Sequence, residues 1–444
     1  MTCQGADRFS LTSALPVRLC WVLPSRRAVQ TEAVLTARLM SSDSIRPIII
    51  VTGANGGLGF GICHRLLFQL SSSQCEDAIP KYAFHNASDI LKELPPRCDG
   101  LTLILACRSR QRAEAAKQQL YDLLDQHIAQ LQRLPHYDGH AEKFRRNLVI
   151  AIHTVDLAHV RSIFNFADEV AQTYPYVSHL ICNAGVVCFT RIDWPVCFHQ
   201  LATDFIGAVS APKFFLQDSG RMSDDGLGWV WQCNVFGHYV LFRCIEPLLA
   251  KYSGYTGSRV IWISSHEASS QHYVPKDYQL IKNDHSYQCS KYQLNLMALY
   301  LDQEATKDQV SGIRHIPVLP GVAGTNIANA LLGCITYYIM YIAFYLARFL
   351  GSPYHPICTF KAAISTVHLA LVPVAFLPNV KTDGEPLSGT LYISETDRLG
   401  NERVGTLDFA KSTAEEAHAL ELMENCDRIL KAFCNAEGRE SPSG

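Results

Sequence analysis

In the stretch YQCSK, Tyr287 and Lys291 stand four positions apart, so on a helix both project from one face. A phenol beside an ammonium is suited to acid–base chemistry. The same pair also fits a polar spot on an ordinary helix, and the five residues alone do not decide. A second stretch, TGANGGLG (52–59), follows a β-branched run and opens an apolar-periodic helix. That is the setting in which a glycine-rich turn holds the phosphates of a dinucleotide. Gly53 permits the tight turn, Gly57 lets the backbone approach a pyrophosphate, and Gly59 lets the helix pack close to the sheet. The free N–H groups and positive end of that helix then face the phosphates.

The strand after this helix ends in ACRSR (106–110), with Arg108 and Arg110 where a binder of the unphosphorylated dinucleotide places an acid; the next acid is Glu114. A missing acid removes the ribose-hydroxyl acceptor, and a guanidinium neutralises a 2′-phosphate. The expected cofactor is NADPH. Asp156, at the end of a third strand, is a candidate contact to adenine. CNAG (182–185) brings Asn183, Ala184 and Gly185 close to the cofactor's ribose.

These residues need a scaffold, and the hydrophobic pattern supplies one. Apolar runs read as strands at 48–51, 101–107, 147–156, 177–185, 258–265, IRHIPVLPG and 389–394. Between them lie helical stretches at about 58–70, about 110–132, AHVRSIFNFADEVAQTY, GWVWQCNVFGHYVLFRCIEPLLA and the segment carrying Tyr287. Strands that are apolar throughout, alternating with helices, indicate a parallel sheet covered on both faces. The expected fold is a Rossmann-type doubly wound sheet of about seven strands in a single domain over 45–440. Segments 71–100, 186–225 and 266–285 break the alternation and read as loop insertions.

Composition limits the partners. The chain has 444 residues, 48% of them hydrophobic, and a net charge of −2. That suffices for a large core, and the lack of a basic excess argues against nucleic acid. The 16 cysteines are scattered without metal-binding spacing and read as buried free thiols in a reducing compartment. Residues 1–44 are arginine-rich and poor in acids, which fits either a mitochondrial-type presequence or an upstream extension with the folded protein starting at Met40. From Ile316 to Ala347 there is no Asp, Glu, Lys or Arg. Its part 327–347 is long enough to cross a hydrocarbon core of about 30 Å, and Tyr337, Tyr341 and Tyr345 repeat at i+4 as if to form one interfacial face. Membrane contact is expected, lying on the bilayer or inserted, with burial inside the protein as the alternative.

The ordered set TGxxxGxG, Asp156, Asn183-Ala184-Gly185, Asn234, Ser264-Ser265, Tyr287 and Lys291 resembles the short-chain dehydrogenase/reductase family over roughly residues 46–326. The resemblance implies catalysis by Tyr287, Lys291, Ser265 and Asn234. Tyr287 would protonate a carbonyl oxygen as hydride arrives. Lys291 would favour the phenolate of a group whose ordinary pKa is about 10 and hold the nicotinamide ribose. Ser265 would polarise the carbonyl, with Ser264 as the other candidate, and Asn234 would hold a proton-relaying water. It also implies cofactor contacts from Thr52, Asn55, Leu58, Pro320, Gly321 and Thr325. The Ser-to-Tyr interval is longer than usual for the family, which the insertion 266–285 explains if that loop folds outward.

Within the family, NVFGHYVLF, VIWISS, YQCSKYQLNLMA and LPGVAGTNI resemble the 3-ketosteroid reductases of sterol synthesis. That likeness implies NADPH-dependent reduction of a sterol 3-ketone during C-4 demethylation, at the endoplasmic reticulum membrane or lipid droplets. It leaves open a complex with other sterol-synthesis enzymes and a homodimer. Reduction of another lipid carbonyl (a 17-ketosteroid, retinal or a 3-ketoacyl chain) is the nearest alternative, and a non-catalytic Rossmann scaffold or sensor is a more distant one.

Overall fold

The computed structural model describes residues 46–82, 97–307, 312–324, 334–377, 389–409 and 412–441. Within it, Ser44–Gly444 form one compact unit. Thr325, residues 1–44, the part 83–96 of 71–100 and the start of the apolar segment 327–347 lie outside the described residues.

The seven expected strands form. They are β1 (Ile48–Thr52), β2 (Thr102–Cys107), β3 (Val149–Thr154), β4 (His179–Cys182), β7 (Arg259–Ile263), β8 (Arg314–Leu319) and β9 (Thr390–Thr396), all paired in parallel. An eighth strand, β10 (Glu402–Asp408), pairs antiparallel with β9 at the edge. Polar-rich ERVGTLD has one exposed side, so no continuous apolar run marks it. The sheet order is β3-β2-β1-β4-β7-β8-β9-β10. Strands run outward from β1 in one direction, then resume from β4 in the other. A crevice opens at such a switch point beyond the carboxyl ends of β1 and β4, which is where TGANGGLG and CNAG leave the sheet.

Helices cover both faces. They are α1 (Gly57–Ser71), α2 (Arg110–Leu131), α3 (Val160–Thr173), α4 (Trp194–Thr203), α5 (Phe205–Ser210), α6 (Gly237–Leu249), α7 (Ser286–Lys307), α8 (Cys334–Phe349), α9 (Ile364–Leu371) and α10 (Thr413–Ala436). One apolar core lies under α3, α6, α7 and α10, the other under α1, α2 and α9. Central strands β1, β2, β4 and β7 are buried at every position, which accounts for their largely apolar sequence.

The insertions differ from plain loops. Segment 186–225 contains a two-stranded hairpin of β5 (Phe189–Ile192) and β6 (Phe215–Gln217), with α4 and α5 between its strands. Asp193 and Asp204 cap those helices through their carboxylates. The described part of 71–100 docks through Asp77, which receives Arg65 Nε at 2.5 Å, while Arg65 Nη1 reaches Glu402 at 3.0 Å. Segment 266–285 is irregular, as expected, but it does not fold outward. Leu280 is buried, Tyr278 meets the Trp231 ring edge-on, and Asn283 donates to the carbonyl of His272 at 2.7 Å.

The charge-free segment is described only in part. Its described helix α8 has 16 residues, about 24 Å at 1.5 Å per residue. Among the described residues no helix is long and apolar enough to cross a membrane. Of the three tyrosines, Tyr337 has its side chain outside the described residues, Tyr345 is exposed, and Tyr341 turns toward Phe344 and lays its hydroxyl against Gly324.

Candidate active site

Backbone geometry builds the nucleotide half. Gly53 and Gly57 have φ of +66° and +52°, a region that side chains other than glycine rarely occupy. Gly59 is required for a different reason. A Cβ there would stand 2.3 Å from the Gly53 carbonyl oxygen and 2.6 Å from Asn183 Nδ2. Thr52 is the hub beneath the turn. Its hydroxyl oxygen accepts the N–H groups of Asn183 at 2.8 Å and Ala184 at 3.0 Å. Asn183 returns a bond from Nδ2 to the Thr52 carbonyl at 2.9 Å. β1 and β4 are thereby locked where both face the crevice.

His238 adds a link that sequence reasoning missed. Its Nε2 lies 3.0 Å from Thr52 Oγ1 and its Nδ1 3.3 Å from the Asn234 carbonyl. A carbonyl only accepts, which puts the proton on Nδ1 and makes Nε2 the acceptor of the Thr52 hydroxyl. Burial drives the imidazole pKa down to about 3, so the ring is neutral at physiological pH. The i+4 spacing of Asn234 and His238 in NVFGH was the available signal.

This turn fits a dinucleotide pyrophosphate. Gly56 precedes α1 without a side chain to cap it, so the first amides of the helix have no side-chain acceptor. A Cβ on Gly56 would meet nothing within 4 Å, so the crevice side is open. Asn55 and Leu58 belong to the same turn, with Leu58 packed against the core below. Arg108 is exposed at the end of β2, while Arg110 pairs with Glu114 at 3.7 Å. Arg108 and Asp156 both act electrostatically on the Cys233 thiol. Asp156 Oδ1 accepts the N–H of Ala158 at 3.0 Å and fixes the turn after β3. Pro320 and Gly321 follow β8. Gly321 has φ +71°, and a Cβ there would come within 2.8 Å of Pro356.

The second half of the site stands on α7. Tyr287 and Lys291 are both buried and lie on one face, with the Lys291 Nζ 5.8 Å from the Tyr287 ring centre. Nζ donates to the Ile263 carbonyl at 2.8 Å, and burial lowers its pKa to about 8. Ser265, just past β7, lies close enough to Tyr287 to act on its hydroxyl. Ser264 turns away, buried, and donates to the Lys291 carbonyl at 3.4 Å. Burial raises the Tyr287 phenol well above its ordinary range and Glu267 adds to this, while Ser265 acts against both.

Asn234 sits in a π-helical turn, Gln232–Phe236, immediately before α6. Its Oδ1 accepts Val186 N–H at 2.8 Å, and its Nδ2 donates to the Val186 carbonyl and to Ser290 Oγ, each at 3.0 Å. This clamp brings Gly185 against the Lys291 ammonium, since a Cβ on Gly185 would lie 3.7 Å from Nζ.

Two further glutamines and an acid complete the surroundings. Gln217, the last residue of β6, accepts the Tyr287 N–H at 2.9 Å and the Ser286 hydroxyl at 3.2 Å, capping α7 from the insertion. Its Nε2 donates to Gln288 Oε1 at 2.5 Å, and Gln288 Nε2 donates to Glu267 Oε2 at 3.0 Å. Nothing local in the sequence links Gln217 to a helix 70 positions on.

A glycine cradle at a sheet switch point, facing a buried Tyr–Lys pair with a serine on the tyrosine, defines a short-chain dehydrogenase/reductase. The 3-keto-steroid reductase of Eremothecium gossypii is 32% identical over 279 residues, 62% of this chain and 76% of that protein. Its counterpart in Candida albicans is 34% identical over 253 residues, 56% and 70% of the two chains. That of Aspergillus fumigatus is 29% identical over 388 residues, 80% of each. The chain belongs to the 3-keto-steroid reductase family. No protein-family model matches it.

Proposed function

We propose that this chain is an NADPH-dependent reductase that converts the 3-ketone of a sterol to the 3β-alcohol during C-4 demethylation. The observation that carries the chemistry is the buried Tyr287, with Lys291 one helical turn away on the same face and its Nζ 5.8 Å from the ring centre. The sterol comes from the relatives, whose names specify a 3-keto-steroid.

Thr52, Gly53, Asn55, Gly57, Leu58 and Gly59 would hold the pyrophosphate, Arg108 the 2′-phosphate, Asp156 the adenine, and Asn183–Gly185 with Lys291 the ribose. Pro320, Gly321 and Thr325 would close the nicotinamide side. When bound, NADPH supplies the hydride. The Ser265 hydroxyl orients the ketone oxygen and stabilises charge growing on it. Tyr287 hands its proton to that oxygen, and the Lys291 cation offsets the charge left on the phenol. Asn234 keeps Gly185 against Lys291. Because burial lowers the Lys291 pKa to about 8, this help declines as pH rises through that value.

A sterol ketone resides in bilayers, and the protein has a surface suited to one. Tyr338, Ile339, Ile342, Tyr345, Leu346 and Phe349 are exposed along one face of α8, at the spacing of a helix lying in an interface. α5 touches both α8 and α4, and α4 exposes Trp194 and Phe198 one turn apart. These helices would rest on the lipid surface of the endoplasmic reticulum or a lipid droplet without crossing it.

The test incubates purified protein with NADPH and either a 4-methyl-3-keto sterol or retinal. Turnover of the sterol, reduced about 10²–10⁴-fold in Tyr287→Phe, supports the reading. Turnover of retinal alone overturns the sterol assignment, and an unaffected Tyr287→Phe enzyme overturns the chemistry.

A further inference from the structure

Glu267 is an acid that acts on the reacting tyrosine, and the proton transfer above does not use it. It lies two residues beyond Ser265, whose hydroxyl oxygen accepts the Glu267 N–H at 3.2 Å. Its carboxylate is partly buried, receives Gln288 Nε2 at 3.0 Å, and acts electrostatically on Tyr287. We propose that Glu267 is a positioning residue whose protonation state sets how readily Tyr287 gives up its proton. Its link through Gln288 to Gln217 ties that control to the cap on α7. The proposal rests on the reductase reading but not on the identity of the ketone.

The physical reason is charge. As Tyr287 passes its proton to the substrate oxygen, negative charge develops on the phenol. An ionised Glu267 repels that charge and a neutral one does not. Reduction is therefore faster with Glu267 protonated. In the reverse direction, an ionised Glu267 delays formation of the phenolate that removes the alcohol's proton.

The surroundings keep this switch within the working pH range. Burial raises the Glu267 carboxyl to about 7, and the bond from Gln288 holds it lower than it would otherwise lie. α7 presents Tyr287, Gln288 and Lys291 to this region. His266, beside Glu267 and packed on the Tyr354 ring, and His355, which acts on His266, are each held to about 4 by burial and stay neutral through the window. Lys291, at about 8, is the next group to change. Reduction thus declines in two steps with rising pH, first with Glu267 and then with Lys291.

Stability follows the same acid. The folded chain keeps this proton to about pH 7, whereas the ordinary value is 4.5. Stability therefore falls as pH rises across that window, and Glu267→Gln removes the fall. The variant is expected to fold.

The experiment measures kcat/KM for reduction and for alcohol oxidation across pH in wild type, Glu267→Gln, Glu267→Asp and Gln288→Met. Glu267→Gln should abolish the break near pH 7, leave the one near 8, and shift the onset of oxidation to lower pH. Glu267→Asp should restore a break. Gln288→Met should move the first break upward, and it decides the matter if Glu267→Gln does not fold. A break unmoved in Glu267→Gln or in Gln288→Met overturns the proposal. In parallel, carbon-13 tyrosine NMR, with Tyr287→Phe to assign the signal, follows Tyr287 without any substrate. Its titration should fall in Glu267→Gln, and an unchanged titration overturns the proposal even if the sterol assignment has failed.

Discussion

The two halves of this site are held together by different means. Around the nucleotide turn the parts are backbone: glycines at positive φ, a carbonyl 2.3 Å from where a Cβ would stand, and two N–H groups converging on one threonine. Around the reacting tyrosine the parts are side chains from distant segments: Gln217 from the insertion hairpin, Gln288 from α7 and Glu267 from the loop after β7. Backbone contacts tolerate almost no change in shape. Side-chain tethers can be retuned, so the half that meets the substrate is the one free to vary in chemistry.

Breaking the nucleotide half should therefore have the largest effect. Gly59→Ala forces a Cβ into the Gly53 carbonyl and the Asn183 amide together, and neither can move without opening the turn. Cofactor binding, measured by NADPH fluorescence titration, should be lost while the helical circular dichroism remains. Retained binding would mean that β1 and β4 are less firmly locked than their hydrogen bonds indicate. Thr52→Val is the subtler break, because it keeps the shape and deletes the hub. The Ala184 N–H and the Nε2 of His238 then lose their partner, and the Asn183 N–H keeps only the Ile181 carbonyl. Leaving such groups unsatisfied costs about 2–4 kcal/mol, readable as a lower denaturant midpoint at unchanged slope, with weaker NADPH binding alongside.

The same contrast explains what could be read from the sequence. TGANGGLG and CNAG are legible because backbone demands restrict residue type locally, and the seven parallel strands are legible because burial on both faces makes them apolar throughout. Tyr287 and Lys291 are adjacent on one helical face and needed only the helix. The hairpin was read as a loop because FTRI and FLQ are short and half exposed, too brief for a period to emerge. β10 escaped for a similar reason, since an edge strand with one wet face carries charge. Gln217, Gln288 and Glu267 look like ordinary polar residues, and only folding brings them together. His238 lay within reach of the i+4 rule, but its partner on β1 did not. In α8 the apolar run was visible, but which tyrosines faced outward depended on Phe344 and Gly324 drawing Tyr341 inward.

The smallest effect on the folded protein should come from the outermost layer of the substrate half. Ile342 and Phe349 on α8 are 67% and 71% exposed, so replacing each with glutamate removes little packing and leaves the opposite face, with Phe344 and Ala347, in place. Such surface changes usually shift stability by no more than about 0.5 kcal/mol. Activity on a water-soluble ketone should be unchanged as well, because neither residue touches Tyr287, Ser265 or the glycine turn by any contact described above. Lipid contact is where the double variant should differ. Sinking an isoleucine or phenylalanine side chain into an apolar phase is worth about 1.5–3 kcal/mol, and a carboxylate at the same position opposes it. Flotation with phosphatidylcholine vesicles should therefore recover the wild type and not the variant, with turnover of vesicle-borne sterol ketone falling in parallel. If the variant floats like the wild type, α8 is not the surface that meets lipid, and the substrate half reaches its apolar ketone by another route.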